Sequence, residues 1–194
     1  MIPRNTTKII LYLLKNLSEF GHNINQISKA LEISVGSAFK ILKGLEKDNI
    51  LYHKEISNAT HYKLNLNNNE TIKLCELLLL SEKRGLKSYA KIYAEEIAKF
   101  EQAELIILFG SVLKEKTFND VDALFLTNQV RKVNSFCIEI SKVRTKPVVP
   151  LILKKEDLIN ELKKRKKAML SIVKDGVIIK GESVFTEVIK NVNP

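Results

Sequence analysis

The sequence predicts an α+β protein, and three observations lead to this class. Short helical patterns fill the first third and end in two strand-like runs, whereas the last half alternates near-continuous apolar runs such as ELIILF and VDALFL with amphipathic helices. The chain has 194 residues, of which 45% are hydrophobic and 28% charged, so it can bury a real core. No run approaches the roughly 18 apolar residues that cross a bilayer, so we expect no membrane partner.

The first part is predicted to cover residues 1–66. Apolar residues at helical spacing predict a helix over 3–17, and Asn23 is placed to cap a second helix over 24–31. Ser34 ends a three-residue turn and suits the N-cap of a third helix. The residues of that helix predicted to face the core are Val35, Ala38, Phe39, Leu42 and Leu45. Two strands, 50–56 and 61–66, follow around a turn at 57–60.

This order of elements resembles the winged helix-turn-helix of small prokaryotic transcription regulators over residues 3–66. The resemblance implies binding to double-stranded DNA, with the third helix in a groove and the hairpin as the wing, and a homodimer is expected because such regulators are often dimers. Small residues at the start of the third helix allow close approach, and lysines suit phosphates. The candidate DNA-binding residues are Ser34, Gly36, Ser37, Lys40 and Lys43 in the helix and Lys54, His61 and Lys63 in the wing.

Net charge agrees with a polyanionic partner. The formal charge is +10, with nine Lys or Arg against five Asp or Glu in residues 1–66 and seventeen against eleven in residues 104–194. A basic protein attracts nucleic acid first. A lysine-rich solvated surface, on a domain used only for dimerisation, is the alternative. The third helix contains no arginine, the commonest reader of guanine, so we expect modest or shape-led specificity.

Residues 67–103 are predicted to form a helical connector. Three asparagines, 67–69, mark its start, and helical patterns follow over 71–80 and 87–100. The second pattern is predicted to pack one stripe of side chains onto a following sheet or onto a second subunit: Tyr89, Ile92, Tyr93, Ile97 and Phe100.

The third part, residues 104–194, carries two acidic residues in an unusual place. ELIILF reads as a buried strand that ends at Gly110-Ser111, and VDALFL reads as a second strand with Asp120 and Asp122 at its start. Alternation along a strand points both carboxylates to one face, about 7 Å apart. Neighbouring carboxylates repel and raise one another's pKa, and Mg²⁺ would remove that cost. Gly110 and Ser111 suit a loop that holds phosphate.

These residues resemble the signature of the nucleotidyltransferase superfamily related to DNA polymerase beta, over residues 104–181. The resemblance implies a mixed sheet flanked by helices, with a helix over 129–143, a strand over 148–153 and a final strand in DGVIIKG. It implies that Gly110 and Ser111 bind a nucleoside triphosphate, and that Asp120 and Asp122 are catalytic and hold Mg²⁺. Archaeal proteins join a winged helix to such a domain, and the whole chain resembles them.

The third carboxylate of the superfamily has no obvious counterpart. The corresponding strand, VVPLIL, contains no acid, Pro150 stands about where the acid would fall, and Glu139 and Glu156 lie outside the strand. Both a working transferase and a domain that binds nucleotide without turnover therefore stay open. In a metal-free reading, Asp120 caps a strand and Asp122 pairs with a lysine. The following helix, predicted over 156–173, carries KKRKK as a solvated or nucleic-acid-binding face.

Three functions are compatible with these patterns. We expect a DNA-binding transcriptional regulator whose second domain binds nucleotide and Mg²⁺. The alternatives are an enzyme that transfers a nucleoside monophosphate from a triphosphate to a protein or small molecule, and an antitoxin-like partner protein. The start of the chain has no signal-peptide pattern, and the two cysteines suggest neither zinc nor a disulfide framework, so we expect a cytoplasmic protein.

Overall fold

The computed structural model describes residues 2–114 and 117–192. Contacts between residues divide the chain into two units, one ending at Leu78 and the other running from Leu79 to Val192. Each unit combines helices with a sheet of its own, so the predicted α+β class is confirmed. No helix among the described residues has the length and apolar character needed to cross a membrane.

The first unit contains three helices, a three-stranded antiparallel sheet and the start of a fourth helix. In chain order its elements are α1 (Arg4–Lys15), β1 (His22–Asn23), α2 (Ile24–Leu31), α3 (Val35–Lys47), β2 (Leu51–Ile56), β3 (Ala59–Leu64) and α4 (Asn69–Arg84). The strand order is β1-β3-β2. The short strand β1 was not predicted, because two residues carry no alternation pattern and only the pairing with β3 defines them.

The predicted helix caps of this unit are confirmed. The Asn23 side chain accepts a hydrogen bond from the backbone of Gln26, whose side chain accepts one from the Asn23 backbone, so the pair forms a capping box. The Ser34 hydroxyl accepts from the Ser37 amide at 3.2 Å. Between the two caps, Glu32 adopts a left-handed conformation (φ 53°) that ends α2. The caps thus fix the turn between α2 and α3.

The core of the first unit uses a narrower stripe of α3 than predicted. Ala38, Leu42 and Leu45 are buried, but Val35 and Phe39 are 49% and 50% exposed. The prediction for these two residues is wrong. The buried positions repeat every three or four residues along one line, whereas Val35 and Phe39 lie beside that line. Apolar spacing alone does not tell how wide the buried stripe of a helix is.

The hairpin turn is tighter than predicted. Strands β2 and β3 pair from Leu51↔Leu64 to Ile56↔Ala59, which leaves Ser57 and Asn58 as a two-residue turn. Both residues have positive φ, 47° and 63°, as the right-handed twist of a short hairpin requires. Residues 59 and 60, predicted in the turn, belong to β3.

The second unit is a four-stranded mixed sheet with helices on both faces. After α4 its elements are α5 (Ser88–Ile97), β4 (Leu105–Phe109), a 3₁₀ turn (Ser111–Leu113), β5 (Val121–Leu126), α6 (Val130–Val143), β6 (Val148–Leu153), α7 (Lys155–Lys163), α8 (Lys167–Asp175), β7 (Val177–Lys180) and α9 (Glu182–Val192). The strand order is β6-β5-β4-β7, in which only the β5–β6 pair is parallel.

The pairing register separates the two faces of this sheet. On one face, Leu108 and Ala123 belong to the hydrophobic core that includes residues of α5 and α6. On the other face, the Ile107 side chain lies against Gly176, directly after α8. Because Asp122 pairs with Phe109, two residues from Ile107, its side chain belongs to this second face.

One prediction for the helices of this unit is wrong, and another holds within the chain for only part of its residues. The helix expected over 156–173 is two helices, because Arg165 takes a left-handed conformation (φ 56°) between α7 and α8. In α5, Tyr93 is buried, but Tyr89 and Ile92 are 51% and 39% exposed. Buried alanines, Ala90 and Ala94, take the core-facing places that the larger side chains were expected to fill.

Candidate nucleic-acid interface and candidate metal site

The exposed face of α3 joins apolar, small and basic side chains. Gly36, Lys40 and Lys43 are exposed as predicted, and Ser37 is half-buried. The exposed residues Val35 and Phe39 lie among them. The Ser34 hydroxyl accepts a hydrogen bond as the N-cap of α3. In the predicted DNA contact, Ser34 therefore contributes its position at the helix N-terminus rather than its hydroxyl. The first turn of α3 contains no acidic residue that would oppose an anion.

Two glycines of α3 have open space where a side chain would be. A Cβ atom built on Gly36 or Gly44 meets nothing within 4 Å. We expect Gly44→Ala to raise the free energy of unfolding by about 0.5–1 kcal/mol, because glycine is unfavourable inside a helix, and Gly36→Ala to raise it less because it lies in the first turn. Urea denaturation measures both changes. A decrease in either variant would mean that the added methyl group meets a neighbour.

The three candidate DNA-binding residues of the hairpin share one of its faces. Lys54 pairs with His61 across β2 and β3, and Lys63 follows two residues later on β3, so alternation places all three side chains on the same side. Lys54 is exposed, whereas His61 and Lys63 are half-buried. The His61 ring also contacts the Ala59 carbonyl oxygen at 3.1 Å, within its own strand. Lys54 is therefore the most accessible of these three side chains.

A chain of polar contacts links α3 to β2. The Lys43 ammonium donates to the Glu46 carboxylate at 2.8 Å, and the His53 ring contacts the other oxygen of that carboxylate. These partners hold the pKa of Glu46 below its ordinary value, and the Lys43 hydrogen bond is the largest cause. These contacts were not predicted from the sequence, because Glu46 of α3 and His53 of β2 meet only in the folded protein. Lys43 is consequently less free than Lys40 to pair with a phosphate.

The two predicted metal-binding carboxylates are near enough for the charge of Asp120 to act on Asp122. Asp122 is in β5, where alternation directs it to the face opposite α5 and α6, and Asp120 lies directly before that strand. Burial raises the pKa of Asp122, and the charge of Asp120 raises it further. Among the described residues, no hydrogen bond or ion pair joins either carboxylate to a cation. The metal-free prediction that Asp122 pairs with a lysine therefore finds no support in residues 2–114 and 117–192.

Gly110 is fitted closely to Asp122. Its backbone has φ 85° and ψ −158°, a conformation open essentially only to glycine. A Cβ atom at this position would collide with the Asp122 carboxylate and lie 3.3 Å from its Cγ atom. The antiparallel pair Phe109↔Asp122 brings the loop to this place. The structure thus joins Gly110 and Asp122, which the sequence separates by eleven residues.

Ser111 begins the 3₁₀ turn directly after Gly110 and is half-buried. The turn is followed by Lys114, whose ammonium is 2.9 Å from the Asp175 carboxylate at the end of α8. This pair lowers the pKa of Asp175. Neither Lys114 nor Asp175 was predicted as part of the site, because only the fold brings the loop and α8 together. Their contact connects the loop after Ser111 to α8.

The neighbouring strand offers no third acid. In the parallel register, Asp122 is the partner of Val149, and Pro150 is the partner of Ala123. Pro150, predicted to stand about where a third acid would fall, is therefore one residue from the partner of Asp122. Because parallel partners share a face, Pro150 points to the other face of the sheet. Glu139 and Glu156 are exposed on α6 and α7. No group of three potential metal ligands occurs among the described residues.

A cavity of about 600 Å³ lies beside the 3₁₀ turn. Its walls include Tyr89 from α5 and Leu113 and Phe118 from the loop. The Tyr89 and Phe118 rings meet edge to face at 5.6 Å. This cavity explains why Tyr89 is exposed: its ring forms a wall rather than part of the core.

Comparisons with known proteins add no family or structural relative. No protein-family model matches the chain, and no curated protein and no solved structure matches it. Its function is therefore inferred from its own residues.

Proposed function

We propose that the first unit is a winged helix-turn-helix that binds double-stranded DNA, and that the protein is a transcriptional regulator acting as a homodimer. One observation carries the proposal: α3 presents Gly36, Lys40 and an N-terminus without acidic residues on a single exposed face. The α2–turn–α3 order and the hairpin with Lys54 support it. In this proposal α3 enters the major groove, and Lys40 and Lys54 contact phosphates.

The proposal is tested by the salt dependence of duplex binding. We expect affinity to fall steeply between 50 and 200 mM salt, because lysines that neutralise phosphates release counterions. Lys40→Ala and Lys54→Ala should each lower the magnitude of the log–log slope by about one per bound subunit, and so by about two for a homodimer. Lys43→Ala should have a smaller effect because Lys43 is bound to Glu46. Fluorescence anisotropy with labelled duplexes measures these slopes.

Lys132→Ala is the matched control, since it removes one exposed positive charge from α6 in the second unit. We expect it to leave the slope unchanged. An equal slope for the parent protein, Lys40→Ala and Lys132→Ala would contradict the proposed interface. Absence of binding to any duplex at low salt would contradict DNA binding itself.

For the second unit we propose binding of a nucleoside triphosphate with Mg²⁺. Two observations support this proposal. The Asp122 carboxylate lies close to Gly110 and within the influence of the Asp120 charge. Neither carboxylate has a cationic partner among the described residues. Asp120 and Asp122 would hold the ion, which when bound would neutralise them and carry phosphate oxygens. Gly110 and Ser111 would face the phosphates. Asp122 fits this role because its carboxylate is already partly desolvated.

Turnover is the second candidate for this unit, as a nucleotidyltransferase acting on a protein or small molecule. The carboxylate pair favours it, and the valine at position 149 weighs against it. Incubation of the full chain with an α-labelled triphosphate and Mg²⁺ separates the candidates. Label that becomes covalently attached to an acceptor supports the enzyme, whereas Mg²⁺-dependent binding without transfer supports a nucleotide-binding domain.

A further inference from the structure

The exposed face of α3 contains two apolar side chains in a basic setting. Val35 and Phe39 are 49% and 50% exposed and lie four positions apart, so they are neighbours on one side of the helix. Single exposed apolar side chains are common on proteins. Here, however, two of them adjoin the exposed residues Gly36 and Lys40 at the start of α3.

Charge indicates what kind of partner covers this face. Lys40, Lys43 and Lys47 are all exposed along α3. Of these three lysines, only Lys43 forms an ion pair within the described residues, with Glu46 at 2.8 Å. Two copies of such a face would bring like charges together, which disfavours self-association through it. A polyanion with apolar groups between its charges is the complementary surface.

The major groove of DNA provides that combination. Its phosphates are negative, and the C5-methyl group of thymine is the apolar group that its base pairs present there. Phenylalanine and other apolar side chains contact this methyl group in DNA-binding proteins. Gly36, which has open space around it, leaves room for the helix to approach the bases.

We propose that Val35 and Phe39 read thymine methyl groups, so that the protein prefers sites with A·T pairs under the first turns of α3. This inference rests on the proposed DNA binding and adds the feature of the base that is recognised. It also gives α3 a means of direct readout although the helix contains no arginine for guanine. Lys40 then contributes affinity, while Val35 and Phe39 contribute specificity.

The test removes the methyl group from the DNA and the ring from the protein. A preferred duplex is selected from a random pool with the full chain, and its thymines are replaced singly by uracil, which lacks only the methyl group. For the parent protein we expect affinity to fall about fourfold for each contacted methyl group. At the thymine that Phe39 contacts in the parent complex, Phe39→Ala should bind the thymine and uracil duplexes equally. Val35→Ala should do the same at a neighbouring thymine.

Phe20→Ala is the matched control, because Phe20 is 53% exposed and lies between α1 and β1. It should keep the full preference for thymine. The inference is overturned, with DNA binding intact, if the parent binds thymine and uracil duplexes alike or if Phe39→Ala and Val35→Ala both keep the preference. It is also overturned if Phe39→Ala converts a dimer to a monomer in sedimentation, since the face would then join two copies. Failure of the parent to bind any duplex would instead refute the proposed function.

Discussion

Replacing Asp122 by asparagine is expected to stabilise the fold and to abolish Mg²⁺-dependent nucleotide binding. Burial and the charge of Asp120 raise the pKa of Asp122, so its ionised form is less favourable in the folded protein than in the unfolded chain. Asparagine keeps the shape without the charge. We expect the free energy of unfolding at neutral pH to rise within the range of about 0.5–2 kcal/mol that single stabilising substitutions give.

The pH dependence of this gain follows from the direction of the shift. Because the folded state holds the Asp122 proton more tightly, the parent loses stability as pH rises from the ordinary aspartate range through the raised pKa. The variant lacks this loss, so the difference between the two proteins is smallest in acid and becomes constant above the raised pKa. Urea denaturation between pH 3 and pH 7, without divalent cations, measures it.

Glu139→Gln is the control, since it removes an exposed negative charge from α6. We expect no comparable gain from it. An Asp122→Asn variant that is less stable than the parent at neutral pH would show that the carboxylate has a stabilising partner in the metal-free protein.

The same variant tests the metal. Mg²⁺ should stabilise the parent in the presence of a nucleoside triphosphate, because a ligand of the folded state adds to its stability. Outer-shell residues of metal sites contribute about 10- to 100-fold to affinity, and loss of a direct ligand should cost at least as much. Titration calorimetry of the parent and of Asp122→Asn therefore decides the site. Equal affinity in the two proteins would remove Asp122 from it.

Replacing Gly110 by alanine is expected to be strongly destabilising. The backbone at this position is essentially restricted to glycine, and strain of that kind costs about 1–3 kcal/mol. The added methyl group also meets the Asp122 carboxylate. We expect a large fall in the midpoint of thermal unfolding, in contrast to the gain expected for Gly44→Ala.

A double-mutant cycle separates the two causes. In an Asp122→Ala background the collision is gone while the backbone strain stays, so Gly110→Ala should cost less there. We expect a coupling free energy in the range of about 0.5–3 kcal/mol found for residues in contact. Additive costs would mean that Gly110 and Asp122 do not touch, and the description of the site would then be wrong.

Local signals made much of the fold predictable. Asn23 and Ser34 marked helix starts because their side chains act within three residues, and continuous apolar runs marked β4 and β6. The place of Asp122 near the start of β5 also followed from the run VDALFL. These features depend on neighbours in the sequence, so the sequence is sufficient to find them.

Features that depend on distant residues were missed or misjudged. The strand β1 exists only through its pairing with β3, and the fit of Gly110 to Asp122 depends on the register of two strands. Phe39 has the spacing of a core residue, yet the core of the first unit ends beside it. The break between α7 and α8 at Arg165 is not marked by a glycine or a proline in the sequence. In each case a tertiary contact, or its absence, decides the outcome.

The register between β5 and β6 has an evolutionary consequence. Val149 shares a face with Asp122 and is 44% exposed, so this position can accept a polar side chain without burying it. Codons for valine and aspartate differ by one base, so a point mutation suffices to add an acid there. The mutant would place a third negative charge beside Asp122 and disfavour its ionised form further. Valine at this position avoids that added repulsion.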